Sequence, residues 1–321
     1  MLHIVERCRY AKYVDLFTVK TPDAVVIWNG NKLPNKTVVI AAKSLKIKVF
    51  YFENGLLPGT TSLDPQGINY AASFTREPNF YLNFDPLDKH SFVTPELIPR
   101  EQHKKRAEFG AVKLPEHYIF VPFQVPHDTQ MASFSPWIKS MEMLYDSVIQ
   151  AVEALGDPDL KVVFKEHPSW HVHYTSLYNK NNLGVFANCN ETQELIQNAK
   201  AVVTVNSTVG LESLLLSKKV ITVGQSCYNL DKLVLHASEQ AELLQCLVDI
   251  QQGWELDLHL RDKFFSYLKH VYSIEGRWQD CSKVHAKSVE DRLLEVDAFS
   301  QSQKENNGQY SNLPMAARAH K

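Results

Sequence analysis

The segment AVVTVNSTVGLESLLLSKKVITVG, residues 201–224, reads as a strand, a helix and a second strand joined by very short links. The apolar, β-branched run at 201–207 predicts the first strand, and 219–224 predicts the second. Between them, residues 208–217 place apolar side chains at the spacing of one helical face. Two strands joined by a helix form a βαβ unit, which requires a parallel sheet. The segment therefore predicts a Rossmann-like α/β arrangement.

The same alternation of strands and helices extends through the second half of the chain. Strands are predicted at 118–125, 160–168 and 184–189, and helices at 135–155, 192–199, 238–252 and 259–271. The last two helices are expected to close the domain.

The first half contains another βαβ unit. DAVVIWNG (23–30) and KVFYFENG (48–55) are apolar runs that each end at a glycine, and NKTVVIAAKSLK (35–46) between them has helical spacing. LLPGTTSLDPQGINY (56–70) is rich in Pro, Gly and Asp, which predicts a long loop leaving the carboxyl edge of the second strand. Further on, PREQHKKRAEFG (99–110) is predicted to be a linker or an interdomain helix.

Two successive α/β series predict an α/β protein with two Rossmann-like domains facing a cleft. The predicted domains are 1–112 and 113–296, and a chain of 321 residues is long enough for two cores of this size. The tail at 297–321 is polar and aperiodic, so it is predicted to be disordered.

Composition narrows the functional class. The formal net charge of −2 provides no global field that would recruit nucleic acid or an acidic membrane. The five cysteines are scattered and form no CxxC pair, which indicates a reducing compartment and argues against a thiolate zinc site. No apolar run is long enough to span a bilayer, and the N-terminus lacks the apolar core of a signal peptide. These features predict a cytoplasmic protein and leave peripheral docking at a membrane open.

Asn206, Ser207 and Thr208 stand where the first strand of the opening segment meets its helix. Ser207 is well placed to cap that helix, and Gly210 would let a ligand approach the first turn. A helix N-terminus with small hydroxyls suits an anion, although ordinary capping without a ligand explains the pattern equally well. A stretch with a single glycine is neither a Walker loop nor a GxGxxG fingerprint, so a phosphate site here would belong to another nucleotide-binding class.

The stretch VFKEHPSWHVHY combines one carboxylate with three histidines, which are residue types that bind metals: Glu166, His167, His171 and His173. A zincin helix requires HExxH, whereas here Pro168 directly after His167 blocks helix propagation. The β-rich run before His167 places it at a strand end, where an imidazole in the same domain as Ser207 suits a phosphate. His171 and His173 are interpreted as solvated loop residues.

Two further groups of polar residues follow predicted strands. Glu53, with Asn54 and Gly55, ends the strand at 48–55, where a carboxylate facing a cleft could do acid–base work. The polar residues behind the strand at 118–125 are Gln124, His127, Asp128 and Gln130. Asp128 is interpreted either as a turn residue or as a nucleophile.

Together these pieces resemble the capsule polysaccharide biosynthesis family, the Kps-type β-Kdo transferases of bacteria, where Kdo is 3-deoxy-D-manno-octulosonic acid. The resemblance rests on five segments: WNG (28–30), FENGLLPGTTSLDPQGIN (52–69), VPFQVPHDTQ (121–130), KEHPS (165–169) and NSTVGLESLLLSKKVITVGQSCY (206–228). It implies a GT-B-like glycosyltransferase that uses a CMP-activated acid sugar without a catalytic metal or another cofactor. The family is similar to bacterial sialyltransferases in its acidic-Gly, HP and Ser-Ser/Thr motifs.

The resemblance also implies roles for the donor-binding residues. His167 and Pro168 form the HP motif, and His167 would hold the CMP phosphate together with Ser207 and Thr208. Glu212 would contact the ribose or the base of the nucleotide.

Catalytic roles follow from the same resemblance. Asp128 matches the proposed nucleophile of the retaining Kdo transferases, and Glu53 is the candidate acid–base. Asn54 stands where sialyltransferases often carry a second acid, which argues against direct inverting transfer. Supporting roles are expected for six residues: Asn54, Gly55, Gln124, His127, Lys165 and Asn206.

The implied function is transfer of Kdo from CMP-Kdo to a glycan or glycolipid of the capsule or lipopolysaccharide type, with retention by double displacement. The domain at 1–112 would take the acceptor, and the domain at 113–296 the donor. Two alternatives remain: an inverting CMP-sialic-acid transferase that depends on Glu53, and a non-catalytic capsule-assembly subunit. The expected partners are the donor, the acceptor and, peripherally, the inner membrane or the capsule-assembly machinery, with no nucleic acid.

Overall fold

The structure is a computed structural model that describes residues 2–84, 110–280 and 282–311. The chain divides into two units, of which unit 1 combines Met1–Thr75 with Ser266–Lys321 and unit 2 is Arg76–Phe265. The linker or helix predicted at 99–110 lies outside the described residues, apart from Gly110.

The α-helices are α1 (Leu2–Lys20), α2 (Asn35–Ser44), α3 (Pro78–Leu82), α4 (Thr129–Phe134), α5 (Met141–Leu155), α6 (Thr192–Asn198), α7 (Thr208–Leu215), α8 (Gln240–Gln251), α9 (Leu258–Tyr267), α10 (Lys283–Leu293) and α11 (Ala298–Ser311). The strands are β1 (Ala24–Trp28), β2 (Lys48–Asn54), β3 (Thr60–Asp64), β4 (Tyr118–Pro122), β5 (Lys161–Lys165), β6 (Gly184–Phe186), β7 (Ala201–Thr204), β8 (Val220–Thr222), β9 (Leu235–His236) and β10 (Ile274–Glu275). None of the helices in the described ranges combines the length and the hydropathy needed to cross a bilayer.

In the described part of unit 2, six parallel strands form one sheet in the order β6-β5-β4-β7-β8-β9. Counted along the unit, this order is 3-2-1-4-5-6, which is the order of the doubly wound Rossmann fold. The order reverses between β4 and β7, and sheets of this kind bind ligands at the carboxyl ends of the strands flanking that switch point. The prediction of Rossmann-like topology in the second half of the chain is confirmed.

Both faces of this sheet are covered, which explains why its strands read as continuous apolar runs. All five residues of β4 are buried. Ile119 and Val121 belong to the core shared with α5 and α8, whereas Tyr118 and Phe120 belong to the core shared with α6. The alternation along β4 therefore places successive side chains in two different cores.

Four described strands of unit 1 form a mixed sheet in the order β1-β2-β3-β10. β1 and β2 are parallel and α2 connects them, as the βαβ pattern predicted. β3 is antiparallel to β2, and β10 is antiparallel to β3. The prediction of one long loop at 56–70 is therefore wrong, because Thr60–Asp64 forms β3.

The turn at Gly55 helps to explain why the sequence pattern did not predict β3. The Gly55 N–H donates to the Thr60 carbonyl (2.8 Å), and a Cβ added to Gly55 would lie 2.5 Å from the Thr60 carbonyl carbon. The chain therefore reverses as tightly as only glycine permits. At the other end, Asp64 accepts hydrogen bonds from the Gln66 N–H (2.7 Å) and the Ser73 N–H (2.8 Å). Turn residues at both ends of a five-residue strand gave the whole stretch the composition of a loop.

The C-terminal boundary of unit 2 differs from the predicted one. Unit 2 ends at Phe265, whereas the predicted domain 113–296 extends further. Residues from Ser266 onward belong to unit 1, where β10 pairs with β3. The hydroxyl of Thr61 in β3 donates to the Gly276 carbonyl (2.9 Å) and lies 3.0 Å from Nε2 of His285 in α10. Because that hydroxyl has given its only hydrogen to Gly276, Nε2 of His285 is the donor to it. Helical periodicity cannot show which sheet a helix joins, so this boundary required tertiary contacts.

The prediction of disorder at 297–321 does not hold for Ala298–Ser311, which forms α11. Phe299 is buried, with its ring 5.4 Å from that of Tyr272 and 4.4 Å from the guanidinium of Arg292. A single buried aromatic residue in a polar segment leaves no periodic signal, so the pattern could not predict this helix. Residues 312–321 lie outside the described residues.

Arg292 joins the C-terminal segment to the sheet of unit 1. Its side chain is almost completely buried and donates to the carbonyls of Leu63 (2.7 Å), Tyr272 (2.9 Å) and Val271 (3.2 Å). It also pairs with the carboxylate of Asp297. A guanidinium tolerates burial only where its N–H groups have partners. The placement of α10 therefore depends on these carbonyls, one of which belongs to β3.

Replacing Arg292 by methionine should lower the free energy of unfolding by about 3–5 kcal/mol, because buried carbonyls and Asp297 lose their partner. Urea unfolding followed by circular dichroism measures the change. Lys287→Met on the same helix is the control, since Lys287 forms exposed ion pairs and should change stability by less than about 0.5 kcal/mol. Equal, small losses for the two variants would show that Arg292 does not hold the segment.

Candidate functional site

The loops that follow β4, β5 and β7 carry most of the predicted site residues at one edge of the unit 2 sheet. β4 lies between β5 and β7. Beyond the strand ends, the Phe123 N–H donates to the Lys165 carbonyl (2.8 Å), so β4 and β5 remain paired. The rings of His127 and Trp170 meet edge to face with their centroids 5.9 Å apart. The loops after β4 and β5 are therefore in contact.

Gln124, after β4, and Asn206, after β7, are buried and bonded to each other at the switch point. Gln124 Nε2 donates to Asn206 Oδ1 (3.0 Å), and the Asn206 N–H donates to Gln124 Oε1 (3.1 Å). The amide of Asn206 also donates, at 3.2 Å each, to the carbonyls of Gln130, Phe134 and Gln225. Both side chains thus hold the loops of the site together.

Helix α7 begins directly after this amide pair. Ser207 is its N-cap: the Oγ accepts a hydrogen bond from the Val209 N–H (3.2 Å), and the Ser207 N–H donates to Thr204 Oγ1 (3.3 Å). Thr208 and Glu212 are half-buried on this helix. The predicted capping by Ser207 is confirmed, and the positive end of the α7 dipole lies at the switch point.

Gly210 is explained by a neighbouring side chain, and the expectation that it admits a ligand is wrong. A Cβ added to Gly210 would lie 2.2 Å from the hydroxyl oxygen of Tyr228. That buried hydroxyl donates to the Ser207 carbonyl and so supports the N-cap. Burial raises the pKa of Tyr228, and the charge of Glu212 acts in the same direction, so the hydroxyl remains a donor. Tyr228 was missed as a site residue, although it ends the segment 206–228.

His167 follows β5 and is half-buried. Its Nδ1 accepts a hydrogen bond from the Ser169 N–H (3.3 Å) and lies 2.8 Å from the Ser169 hydroxyl. A backbone N–H can only donate, so the neutral ring carries its proton on Nε2. Pro168 lies inside a turn closed by the Trp170 N–H and the His167 carbonyl (3.0 Å). The turn therefore sets the tautomer in which Nε2 is a hydrogen-bond donor.

Glu166 and His173 form hydrogen bonds within the loop that follows β5. Glu166 is completely buried and accepts hydrogen bonds from the Tyr174 N–H (2.7 Å) and the Tyr178 hydroxyl (3.0 Å). It also lies 2.7 Å from Nδ1 of His173, so the interpretation of His173 as a solvated residue is wrong. His171 is exposed, as predicted. Within the described ranges, no three His, Cys, Asp or Glu side chains are grouped to hold a metal ion.

Lys165, at the end of β5, has its side chain inside unit 2. It is only 7% exposed, and its ammonium group donates to the Asn190 carbonyl. Asn190 in turn exchanges hydrogen bonds with the backbone of Val112, at 3.0 Å in each direction. Lys165 thus fastens the β6–α6 connection to β5.

Asp128 is the N-cap of the short helix α4. Its Oδ1 accepts a hydrogen bond from the Gln130 N–H (3.2 Å), and its own N–H donates to the Val125 carbonyl (3.0 Å). The side chain is half-buried, and none of the described residues donates a hydrogen bond to Oδ2. His127 beside it is exposed. Asp128 therefore acts as a turn and capping residue through Oδ1, and its Oδ2 remains available for a chemical role.

Glu53 lies at the carboxyl end of β2 in unit 1. Its Oε2 accepts a hydrogen bond from Asn29 Nδ2 (3.0 Å), and its Oε1 accepts one from the Asn54 N–H (3.1 Å). Asn29 follows β1 with φ of 59°, a left-handed conformation that asparagine tolerates. Sequence reasoning missed Asn29, although WNG at the end of a neighbouring parallel strand was an available signal. Gly55 serves the turn into β3, as described above.

Comparison with a solved structure shows the class of the fold. The solved structure of KpsC, beta Kdo 2,7 transferase, from Thermosulfurimonas dismutans is similar to this chain with a TM-score of 0.55 and 19% sequence identity, over 88% of each chain. The fold is therefore of the GT-B-like α/β class found in glycosyltransferases, as predicted.

Sequence comparison shows which proteins the chain resembles. Residues 100–242 match the family described as Capsule polysaccharide biosynthesis protein, and this range includes Asp128, His167 and Ser207. Protein FixF of Sinorhizobium fredii is 38% identical over 274 residues, which cover 85% of this chain and 65% of FixF. Capsule polysaccharide export protein KpsS of Escherichia coli is 23% identical over 286 residues, covering 71% of this chain and 72% of KpsS. This chain spans less than two thirds of FixF. The resemblance to the capsule polysaccharide biosynthesis family is confirmed.

Gly210→Ala should lower the free energy of unfolding by about 1–3 kcal/mol through overlap with Tyr228. Helix propensity alone predicts the opposite, a gain of about 1 kcal/mol. Adding Tyr228→Leu removes the overlapping atoms, so the double variant should lose less than the sum of the two single losses. Urea unfolding of the four proteins measures this coupling. Strictly additive losses would mean that the Tyr228 ring is not the reason that position 210 requires glycine.

Proposed function

We propose that this protein transfers a Kdo residue from CMP-Kdo to a glycan or glycolipid acceptor of the capsule or lipopolysaccharide type. One observation carries the proposal. A histidine in its Nε2–H form and a serine-capped helix N-terminus lie at the same edge of a Rossmann-type sheet, inside the segment matched by the capsule polysaccharide biosynthesis family. Both groups suit a phosphate at the switch point of such a sheet.

In this proposal, the phosphate of the donor lies between His167 and the first turn of α7. Nε2 of His167 donates a hydrogen bond to it, and Ser207 and Thr208 contribute donors from the helix N-terminus. A CMP-sugar carries a single phosphodiester charge, so one imidazole and one helix dipole are adequate compensation. Glu212, on the same helix, accepts hydrogen bonds from the ribose or the base. Pro168 keeps the turn that orients His167.

Asp128 is proposed as the nucleophile. One of its carboxylate oxygens forms a bond to the anomeric carbon of Kdo while the bond from that carbon to the phosphate oxygen breaks, and CMP leaves with the electron pair. The acceptor hydroxyl then attacks the same carbon, its proton passes to a base, and the carboxylate of Asp128 leaves. Two inversions give net retention. The cap occupies only Oδ1 of Asp128, which is compatible with nucleophilic attack by Oδ2.

Glu53 is proposed as the acid–base residue. Asn29 and the backbone of Asn54 each hold one of its oxygens, so the orientation of the carboxylate is set by unit 1 itself. The donor and the acceptor are the partners in this proposal. Contact with the inner membrane or the capsule-assembly machinery, a cytoplasmic location and catalysis without a metal stay predictions.

A second candidate function is inverting transfer from a CMP-sialic-acid type of donor. It is favoured by the fact that Asp128 already has a structural role as the cap of α4. Glu53 would then be the essential residue, acting as the base that takes the acceptor proton.

CMP should raise the melting temperature of the protein, whereas UDP and GDP at the same concentration should not. His167→Ala should weaken CMP binding by about tenfold or more, because a hydrogen bond to a charged group is lost. Thermal shift and titration calorimetry measure both effects.

His171→Ala is the matched control for His167→Ala, since His171 is an exposed imidazole in the same loop. It should bind CMP like the wild type. Stabilisation by UDP or GDP in preference to CMP would overturn the donor class, and equal effects of the two alanine variants would remove His167 from the site.

Asp128→Asn should reduce transfer from CMP-Kdo by about three orders of magnitude or more, because the amide is not a nucleophile. Asparagine caps helices as well as aspartate does, so α4 and the melting temperature should be preserved. Initial rates with CMP-Kdo and the stereochemistry of the product give the readout.

Glu53→Gln separates the candidate mechanisms. Undiminished transfer by Asp128→Asn together with loss in Glu53→Gln would refute double displacement and support the inverting candidate. If the wild type neither transfers nor hydrolyses any CMP-sugar, the result would support a non-catalytic capsule-assembly subunit.

A further inference from the structure

Helix α1 packs on α2 through one narrow face. Phe17 is buried there, and Tyr13 and Val14 are partly buried in the same core. The hydroxyl of Thr37 in α2 donates to the carboxylate of Glu6. Apart from Phe17, Tyr13, Val14 and Glu6, every side chain that the structure describes on α1 is exposed. Most of the surface of this 19-residue helix is therefore open to a partner.

Aliphatic side chains stand on the outer surface of both helices. Ile4 is 68% exposed and Val19 is 71% exposed on α1, and Ile40 is 50% exposed on α2. Val5 and Leu16 of α1 are exposed as well, and their spacing of 11 and 14 residues to Leu16 and Val19 places these three side chains on one side of the helix. Single exposed aliphatic residues are common on proteins, so they identify no partner by themselves.

The same two helices are strongly basic. Residues 1–20 and 32–46, which include α1 and α2, contain eight Lys or Arg and two Asp or Glu, a formal charge of +6. Including the intervening residues adds Asp23 and leaves +5. The whole chain carries −2, so its small net charge conceals a local basic surface. The outer side chains of residues 3–20 and 32–46 are called the basic surface below.

Few of these cations are neutralised by neighbouring carboxylates. Arg9 is paired with Glu6, and Asp15 is the second carboxylate of α1. Nζ of Lys43 lies 5.6 Å from the centroid of the Tyr51 ring. Five other basic side chains form no ion pair with any residue that the structure describes: Arg7, Lys12, Lys20, Lys36 and Lys46. Most of the positive charge is therefore available to a partner.

The acidic side chains of α10 lie on the other side of the unit 1 sheet. Val49 of β2 belongs to the core shared with α1 and α2, whereas Phe50 belongs to the core shared with α10. Lys48 is on the same side of β2 as Phe50, and it pairs with Glu295 after α10. Neither this ion pair nor α10 contributes charge to the basic surface.

We propose that the basic surface docks the protein on a membrane that contains anionic phospholipid. The lysine and arginine side chains are attracted to the lipid phosphates, and the exposed aliphatic side chains enter the boundary between headgroups and acyl chains. Docking of this kind is reversible, and it needs no membrane-spanning helix. The inference goes beyond the proposed glycosyltransferase function and does not depend on the donor.

A lipid surface fits the basic surface better than two other partners. A second copy docked through the same surface would place one +6 charge opposite another, which is repulsive. Nucleic acid would satisfy the charges, but it would leave Ile4, Val19 and Ile40 against sugars and phosphates. An anionic membrane satisfies the cations and also offers an apolar layer to the aliphatic side chains.

Sedimentation with lipid vesicles tests the proposal on the full chain without any donor. The vesicles contain either equal parts of phosphatidylcholine and phosphatidylglycerol or phosphatidylcholine alone. The protein should bind only the vesicles that contain phosphatidylglycerol, and added sodium chloride should weaken the binding. The double variant Lys12→Gln/Val19→Gln removes one cation and one aliphatic side chain from the same side of α1. Its partition coefficient should fall about tenfold.

The matched control is Lys283→Gln/Val284→Gln on α10. Val284 is 71% exposed, as Val19 is, and Lys283 is also exposed. The two double variants thus make the same chemical changes on opposite sides of the sheet, and the α10 variant should bind vesicles like the wild type. A third variant, Lys12→Arg/Lys36→Arg, keeps the charge and should keep the binding. Circular dichroism and melting temperature check that all variants are folded.

Each outcome decides about the basic surface separately from the proposed function. Loss of vesicle binding in the α1 variant alone supports the proposal even if CMP fails to bind. Absence of binding to phosphatidylglycerol, or equal losses in the α1 and α10 variants, overturns it even if CMP binds. Tighter binding to polyuridylate than to vesicles would assign the surface to nucleic acid, and a dimer that the α1 variant dissociates would assign it to a second copy. Either result overturns membrane docking.

Discussion

Two buried amide side chains, Gln124 and Asn206, connect the central strands of unit 2 just beyond their carboxyl ends, and the candidate site depends on them. A buried amide without partners costs about 1–3 kcal/mol, so neither loop can move without losing several hydrogen bonds. Asn206 immediately precedes Ser207, so the same pair sets where α7 begins. The amide of Asn206 also holds the carbonyl of Gln130, which places the short helix after Asp128. The Gln124–Asn206 contact thus positions both the proposed phosphate-binding turn of α7 and the proposed nucleophile.

Unit 1 depends on a comparable arrangement of buried polar groups. Arg292 and Thr61 bond the C-terminal segment to β3, so two stretches far apart in sequence form one structure. The same packing brings Trp278 against Trp28 and Asn54. The sheet that carries the acid–base candidate Glu53 therefore includes strands from both segments of unit 1.

Parts of the site could be predicted because local physics dictates them. Pro168 forbids a helix at His167, and Ser207 before an apolar helix is a capping signal, so both positions were predicted from residue type. The partners of those residues could not be predicted. The roles of Tyr228 behind Gly210, of His173 on buried Glu166 and of Lys165 on the Asn190 carbonyl depend on contacts between loops. Such contacts leave no periodic pattern, because each involves a single side chain.

The sequence by itself determined the βαβ units, the Rossmann-like second half, the strand-end positions of His167 and Ser207 and the family resemblance. Hydrophobic periodicity and turn-forming residues are local properties, so they can be recognised in the sequence alone. Only the tertiary structure decided that residues after Ser266 return to unit 1, that β3 lies within an apparent loop and that α11 is ordered. Each of these outcomes depends on residues that are distant along the chain. Such residues either form hydrogen bonds with a buried polar group or cover a buried aromatic ring.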